Sequence, residues 1–200
     1  DTGSHVADES STDNAARNAE RRPAFPARVV RHPEWPARTD MIRDATQSDA
    51  AAIVAIWNPI IRDSLATFNS AEKDEGEVAT LISDRQTAGY AFLVADEGSI
   101  QGFATYAQFR GGVGYAHTME HTVILSPEAR GRGLGRALML AVEDHARAAG
   151  AHSLFARVSA ENTGAVGFHE ALGYEAVATL PEVGRKFDRW LDLVLMQKRL

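Results

Sequence analysis

The chain has 200 residues, 44% of them hydrophobic, a formal net charge of -6 and no cysteine. That length and apolar content support one sizeable core rather than two. The acidic balance argues against a general binder of nucleic acid or anionic membrane, since those depend on basic surface. The lack of cysteine excludes disulfides, thiol nucleophiles and thiolate zinc sites. No apolar run nears the roughly 20 residues that span a bilayer, and residues 1–20 hold no apolar stretch of the kind a secretory signal carries. A cytoplasmic protein is expected.

Residues 1–40 hold four of the seven prolines (Pro23, Pro26, Pro33, Pro36), and their few large apolar residues follow no helical or strand period. They read as a tail, added by cloning or by an upstream start, because Gly3-Ser4-His5 has the look of a cloning scar and Met41 opens a compact domain over residues 41–200. A strand is expected at 41–45, followed by a helix with Ser48 as N-cap and Ile53, Ile56, Trp57 and Ile60 on one face. A second helix covers 75–88. Residues 90–95 and 100–109 form a hairpin across Asp96-Glu97-Gly98, and 114–125 make the next strand. Leu134, Leu138, Ala141, Val142, His145 and Ala149 recur at helical spacing, with Gly150 as the stop. A strand at 153–158, a helix from Asn162 through Leu172 ended by Gly173, and strands at 174–180 and 190–196 complete the order. Hairpins in the middle and alternating strands and helices afterwards give an α/β fold, with a mixed sheet and helices on both faces.

Between the strand that ends at Leu125 and the helix that follows lies Arg130-Gly131-Arg132-Gly133-Leu134-Gly135-Arg136. A strand, a glycine-rich turn and a helix N-terminus aim several unpaired backbone N–H groups and the positive end of the helix dipole at one point, so this stretch is a phosphate cradle. A Walker loop is excluded because it needs a lysine. A dinucleotide turn is excluded because its third glycine position falls on Arg136.

Upstream, His117-Thr118-Met119-Glu120-His121 matches the His-x-x-Glu-His zinc pattern, which works on a helix. On a strand, residues 117 and 121 share a face but stand about 13 Å apart, too far to share a zinc. Glu120 points to the other face, with Thr118, Thr122 and Ile124. A carboxylate on a strand that leads into the cradle, and that both faces should cover, is costly unless it serves a ligand or has a partner. No metal is expected.

Arg130-x-x-Gly133-x-Gly135 resembles the acyl-coenzyme A pyrophosphate motif of the GNAT superfamily of N-acetyltransferases. Three further stretches resemble its phosphinothricin and methionine sulfoximine acetyltransferases: Tyr115-x-His117-Thr118-x-Glu120-His121-Thr122-Val123, Asn162 with His169-Glu170-x-Leu172-Gly173-Tyr174, and Val183-Gly184-x-Lys186-Phe187-x-Arg189-Trp190-Leu191-Asp192. The resemblance covers residues 41–200. It implies a GNAT-like, mixed and mostly antiparallel central sheet, acetyl-coenzyme A as co-substrate, a small amino acid or analogue as acceptor, direct attack on the thioester, and a homodimer.

Position by position, the resemblance implies that Val123, Ile124 and Leu125 run beside the pantetheine arm, with the backbone of Val123 and Leu125 pairing with it like an added strand. Arg130, Gly131, Arg132, Gly133, Leu134, Gly135 and Arg136 would hold the pyrophosphate, and Asn162 would bond the arm or its thioester end. Glu120 would take a proton from the substrate ammonium, and a backbone N–H near Val123 would stabilise the oxyanion. Where many relatives carry a tyrosine acid, this chain has His169, which either protonates the leaving thiolate or is a packed structural group. Arg110 would clamp the substrate carboxylate, Gly111 and Gly112 would shape a specificity loop, and Phe68 and Lys186 would complete the substrate pocket, with Phe187 and Trp190 in core or dimer contacts. Two other readings stand beside this one: a protein N-terminal or lysine acetyltransferase of the same fold, and a coenzyme A-binding module without catalysis.

Overall fold

The computed structural model describes residues 39–200. The tail expected over residues 1–40 lies outside them except for its last two residues, which enter a 3-10 turn, Thr39–Met41, leading into the sheet. The elements follow in the expected order: β1 (Ile42–Asp44), α1 (Ala50–Asp63), α2 (Glu75–Thr87), β2 (Phe92–Asp96), β3 (Ile100–Gln108), β4 (Thr118–Leu125), α3 (Leu134–Ala148), β5 (Ser153–Ser159), α4 (Thr163–Ala171), β6 (Glu175–Lys186) and β7 (Arg189–Arg199). The seven strands form one sheet in the order β1-β2-β3-β4-β5-β7-β6. Only the β4–β5 pair is parallel.

Two apolar layers hold the sheet between helices. On one face Leu134, Leu138, Met139 and Val142 of α3 pack on Leu93, Tyr106, Met119, Leu154 and Met196. On the other, Ile53 of α1 and Val78 and Ile82 of α2 pack on Phe92, Val94 and Phe103. Alternation along each strand decides which residue faces which layer. The buried Tyr106 hydroxyl meets His145 Nδ1 at 2.7 Å, which ties β3 to α3 without leaving either group unpaired.

Local differences from the sequence expectation have identifiable causes. Ser48 is not the helix cap: a 3-10 turn, Gln47–Asp49, precedes α1, and Asp49 Oδ2 accepts the Thr46 N–H at 2.7 Å. Arg43 fixes that carboxylate with two hydrogen bonds of 2.8 Å and reaches Asp96 with a third of 3.0 Å, so one guanidinium joins β1, β2 and the helix entry. Its hydrogen bonds hold the Asp49 carboxyl down at about 2. The strand expected from residue 114 starts at Thr118, because Val113–Tyr115 winds into a 3-10 turn entered through Gly112 at φ 103°. β6 runs past 180 to Lys186 by way of a register shift between Leu180 and Gly184, with Glu182 at φ 53°.

Candidate active site

The cradle is a left-handed turn on the end of a helix. Gly131 (φ 71°) and Gly133 (φ 83°) adopt backbone conformations that L side chains rarely take, and a Cβ at either would meet no atom within 4 Å. The turn therefore opens toward solvent. Gly133 is the N-cap of α3 and offers no side chain to its first N–H groups, which leaves them to a ligand. Gly135 serves packing instead, since a Cβ there would stand 3.0 Å from Leu125 and 3.4 Å from Phe168; its absence seats the helix start against β4 and α4. Leu134 is fully buried, so only its backbone faces the turn. Arg132 pairs with Glu97, whereas the exposed Arg130 and Arg136 have no ion-pair partner among the described residues.

Beside the cradle the sheet splits. β4 and β5 are paired only from Thr118↔Ser153 to Glu120↔Phe155, although β4 continues to Leu125 and β5 to Ser159. In the antiparallel pair with β3, backbone bonds fall on Thr118 and Ser126, as in Phe109 N–H to Thr118 O and Ser126 N–H to Gln101 O, so even-numbered residues of β4 bond to β3. The N–H and C=O of Val123 and Leu125 therefore face the side that β5 has vacated. Ile124 differs from these two: its backbone is directed at β3 and its side chain packs on the α1–α2 layer.

Glu120 stands where the strands part. Arg157 Nη2 of β5 donates to its Oε1 at 3.0 Å, with 24% of the Glu120 side chain and 57% of the Arg157 side chain exposed. Phe109 and Phe155 stack at 4.8 Å on the same sheet face, one on each side of β4. Burial raises the Glu120 carboxyl above its ordinary range, against the opposing charges of Arg157 and Arg85. Sequence reasoning misses Arg157. Its signal is the alternation of Leu154, Ala156 and Val158 into the core, which turns Phe155 and Arg157 to the face of Glu120.

The opposite face carries a buried aromatic cluster. His121, one residue past Glu120, stacks on His169 at 5.1 Å, and Tyr174 meets both rings edge-on at 5.5 and 5.3 Å. His169 Nδ1 bonds the Ala165 carbonyl at 2.7 Å, which places its N–H there and leaves the lone pair on Nε2. Burial lowers the basicity of both histidines. Both His121 ring nitrogens and His169 Nε2 are buried without a hydrogen-bond partner among the described residues. His117 turns elsewhere, its Nδ1 meeting the Gly150 carbonyl at 2.8 Å, so the two imidazoles of the His-x-x-Glu-His match go to separate places. Among the described residues no group of three or more His, Asp or Glu is placed to hold a metal. Asn162 caps α4 with Oδ1 on the Ala165 N–H at 3.2 Å, and this leaves its amide NH2 to donate.

The loop after α1 packs on β6. The Phe68 ring lies so close over Gly184 that a Cβ there would fall 2.2 Å from it. Lys186, expected at the substrate, is 4% exposed, and its Nζ donates to the Ile61 carbonyl and, at 2.9 Å, to the Thr67 carbonyl. Its amine is committed to the Phe68 loop, so any effect on substrate passes through that loop. Arg110 makes no hydrogen bond or ion pair with Glu120 among the described residues: it sits in an exposed loop with its guanidinium 5.8 Å from the Tyr115 ring centre. Gln108 Nε2 ties the same loop by donating to the Arg110 and Gly112 carbonyls at 2.7 Å each, and Gly111 lies exposed between them.

A sheet that splits beside a phosphate cradle, with unpaired backbone along the split, is built to take an acyl-coenzyme A. The chain belongs to the GNAT acetyltransferases: the acetyltransferase (GNAT) domain of that family matches residues 42–195. It is an acetyl-coenzyme A-dependent N-acetyltransferase. More particularly, it is similar to the L-amino acid N-acyltransferase MnaT of Escherichia coli (strain K12), at 38% identity over 160 residues, 80% of this chain and 93% of that protein. It is 37% identical to an L-methionine sulfoximine/L-methionine sulfone acetyltransferase of Salmonella typhimurium, over 80% of this chain and 94% of the relative. Among solved structures, a phosphinothricin acetyltransferase from Sinorhizobium meliloti in complex with acetyl-coenzyme A superposes with a TM-score of 0.76 at 33% identity, covering 80% and 87% of the two chains.

Proposed function

We propose that the protein acetylates the amino group of a small amino acid or analogue, of the methionine sulfoximine or phosphinothricin kind. The observation that carries this reading is Glu120, a half-buried carboxylate at the split between β4 and β5, on the sheet face where Phe109 and Phe155 stack. The substrates named for the relatives support it. Acetyl-coenzyme A supplies the activated acetyl thioester.

Residues 130–136 fit its pyrophosphate, since the open glycine turn and the free helix N-terminus lie between Arg130 and Arg136, neither of which has an ion-pair partner among the described residues. The free edge of Val123 and Leu125 fits the amide-bearing arm in the manner of an added strand, and the Asn162 amide can donate to it. Glu120 takes the proton of the substrate ammonium, because only the neutral amine has a lone pair for attack. The Val123 N–H is available to polarise the carbonyl under attack. His169 holds its Nε2 lone pair in the neutral state, so it returns a proton to the leaving thiolate only after taking one up there. No covalent enzyme intermediate is required.

We further propose a cytoplasmic homodimer. The β6–β7 hairpin exposes Val177, Leu180, Val183, Phe187 and Trp190, the last at 61%, beside the Phe68 loop. Phe187 and Trp190 thus stand in the surface, available to a second copy and not in the core. The test is a panel of L-amino acids, L-methionine sulfoximine, phosphinothricin, an N-terminal peptide and a lysine peptide, each with acetyl-coenzyme A, read as thiol release. Turnover on the free amino acids is expected. Turnover on peptides alone would make it a protein acetyltransferase, and binding of acetyl-coenzyme A without turnover on any amine would make it a binding module.

A further inference from the structure

The pair formed by Glu120 and Arg157 is more than a surface ion pair by position. Exposed pairs contribute little to stability, and this one joins two strands at the level where their backbone pairing has stopped. Arg157 lies two residues past Phe155, the last β5 residue paired with β4, so its guanidinium bridges the mouth of the split. Only Nη2 is engaged, by one Glu120 oxygen; the remaining N–H groups have no partner among the described residues, and 57% of the side chain is exposed. A guanidinium with a free edge is suited to a carboxylate, which it binds with two parallel bonds.

We propose that Glu120 and Arg157 together recognise the zwitterion of a free α-amino acid, Arg157 taking the substrate carboxylate while Glu120 faces its ammonium. The inference rests on the amino-acid reading above and makes Arg157 a specificity residue of that site. In an α-amino acid the two charges are separated by a single carbon atom, and in the protein the opposite charges are 3.0 Å apart. Set against one another they close into an alternating ring in which every neighbour is of opposite sign, and the protein pair need not break to admit the substrate. The carboxylate of a free amino acid supplies the anion that the open edge of Arg157 lacks. A simple amine or a lysine side chain brings none.

The expected clamp at Arg110 is less well placed. Arg110 lies three residues beyond Ala107, the β3 register partner of Glu120, which is about 10 Å along an extended chain. Its guanidinium is turned onto Tyr115.

The test compares L-methionine sulfone with its carboxamide in the native enzyme and in Arg157→Gln, Arg157→Lys and Arg110→Ala variants, reading kcat/KM. The native enzyme should prefer the acid. In Arg157→Gln the preference should fall by about 10- to 100-fold, the scale of a lost charged hydrogen bond, mainly through KM for the acid. Arg157→Lys should restore part of it. Since the ratio compares two substrates on one enzyme, a change in Glu120 basicity cancels from it. Equal losses on acid and amide, or loss of the preference in Arg110→Ala with Arg157→Gln unchanged, would overturn the role of Arg157 and leave the amino-acid reading standing. A native enzyme that turns over neither compound, nor any free amino acid, would overturn that reading and the inference with it.

Discussion

Replacing Gly184 with alanine tests how tightly the Phe68 ring packs on β6. The added Cβ would fall 2.2 Å from one Phe68 ring carbon and 2.6 Å from two more, against the roughly 3.5–4.0 Å at which carbon atoms rest. The ring must therefore retreat by about 1.3 Å or more. It cannot swing out freely, because Lys186, two residues along the same strand, holds the loop through the Ile61 and Thr67 carbonyls. Overpacking of this kind costs about 1–3 kcal/mol, and in a domain of this size each kcal/mol lowers Tm by roughly 2–4 °C. The assay is thermal unfolding of Gly184→Ala, Phe68→Ala and the double variant. With the ring gone, the added methyl has room, so Gly184→Ala should cost less than about 0.5 kcal/mol in the Phe68→Ala background, the margin within which independent sites add. An equal cost in both backgrounds would refute the contact. The substrate KM should rise in the single variants while acetyl-coenzyme A affinity holds.

Two further outcomes follow from other parts of the molecule. Acetyl-coenzyme A should raise Tm of the native protein, by the equivalent of ~2.7 kcal/mol at a hundredfold excess over Kd, and Gly133→Asp should abolish that rise by setting a carboxylate where phosphate would approach the left-handed turn. A folded Gly133→Asp protein with the full rise would unseat the cradle. Asp49 is held at about 2 against 3.8 unfolded, so it contributes about 2 kcal/mol that is fully present above pH 4 and lost as pH falls toward 2. Asp49→Asn should therefore lower the urea-unfolding free energy by about that much at pH 7 and by much less near pH 2; a penalty independent of pH would mean that the charge is not what Arg43 and Thr46 recognise.

How far the sequence can be read depends on how local the cause is. The cradle, the helix behind it and the facing of Glu120 follow from residues adjacent in the chain: glycines that permit positive φ, arginines beside them, and strict alternation along a strand. The order of strands and helices follows from the same short-range periods. What is not legible depends on partners distant in sequence. Nothing near Lys186 marks it as a buried staple, because its acceptors are the carbonyls of Ile61 and Thr67, more than a hundred residues away. Alternation turns Arg157 to the right face, but its meaning appears only when β5 is known to pair with β4 over three residues and then leave it. The His121–His169–Tyr174 stack is of the same kind, a contact between a strand, a helix and the turn after it. Ser48 is not the cap because it lies inside the 3-10 turn Gln47–Asp49, whose last residue, Asp49, takes the N-cap position with its carboxylate turned back to Thr46 and to Arg43 on the preceding strand.

The central claim, that Glu120 accepts the proton of the substrate amine, is tested by the pH dependence of kcat/KM in the native enzyme and in Glu120→Gln. In the native enzyme kcat/KM should rise as Glu120 ionises, at a pH above the ordinary carboxylate range because burial disfavours its charge. Glutamine keeps the shape and removes the base, so turnover at neutral pH should fall ~100-fold or more with acetyl-coenzyme A affinity unchanged. Raising the pH should then recover part of the loss, since a larger share of the amine arrives already neutral. A Glu120→Gln enzyme with native turnover at neutral pH would contradict the claim and send the proton by another route, with His121 on the far side of the strand the first residue to examine.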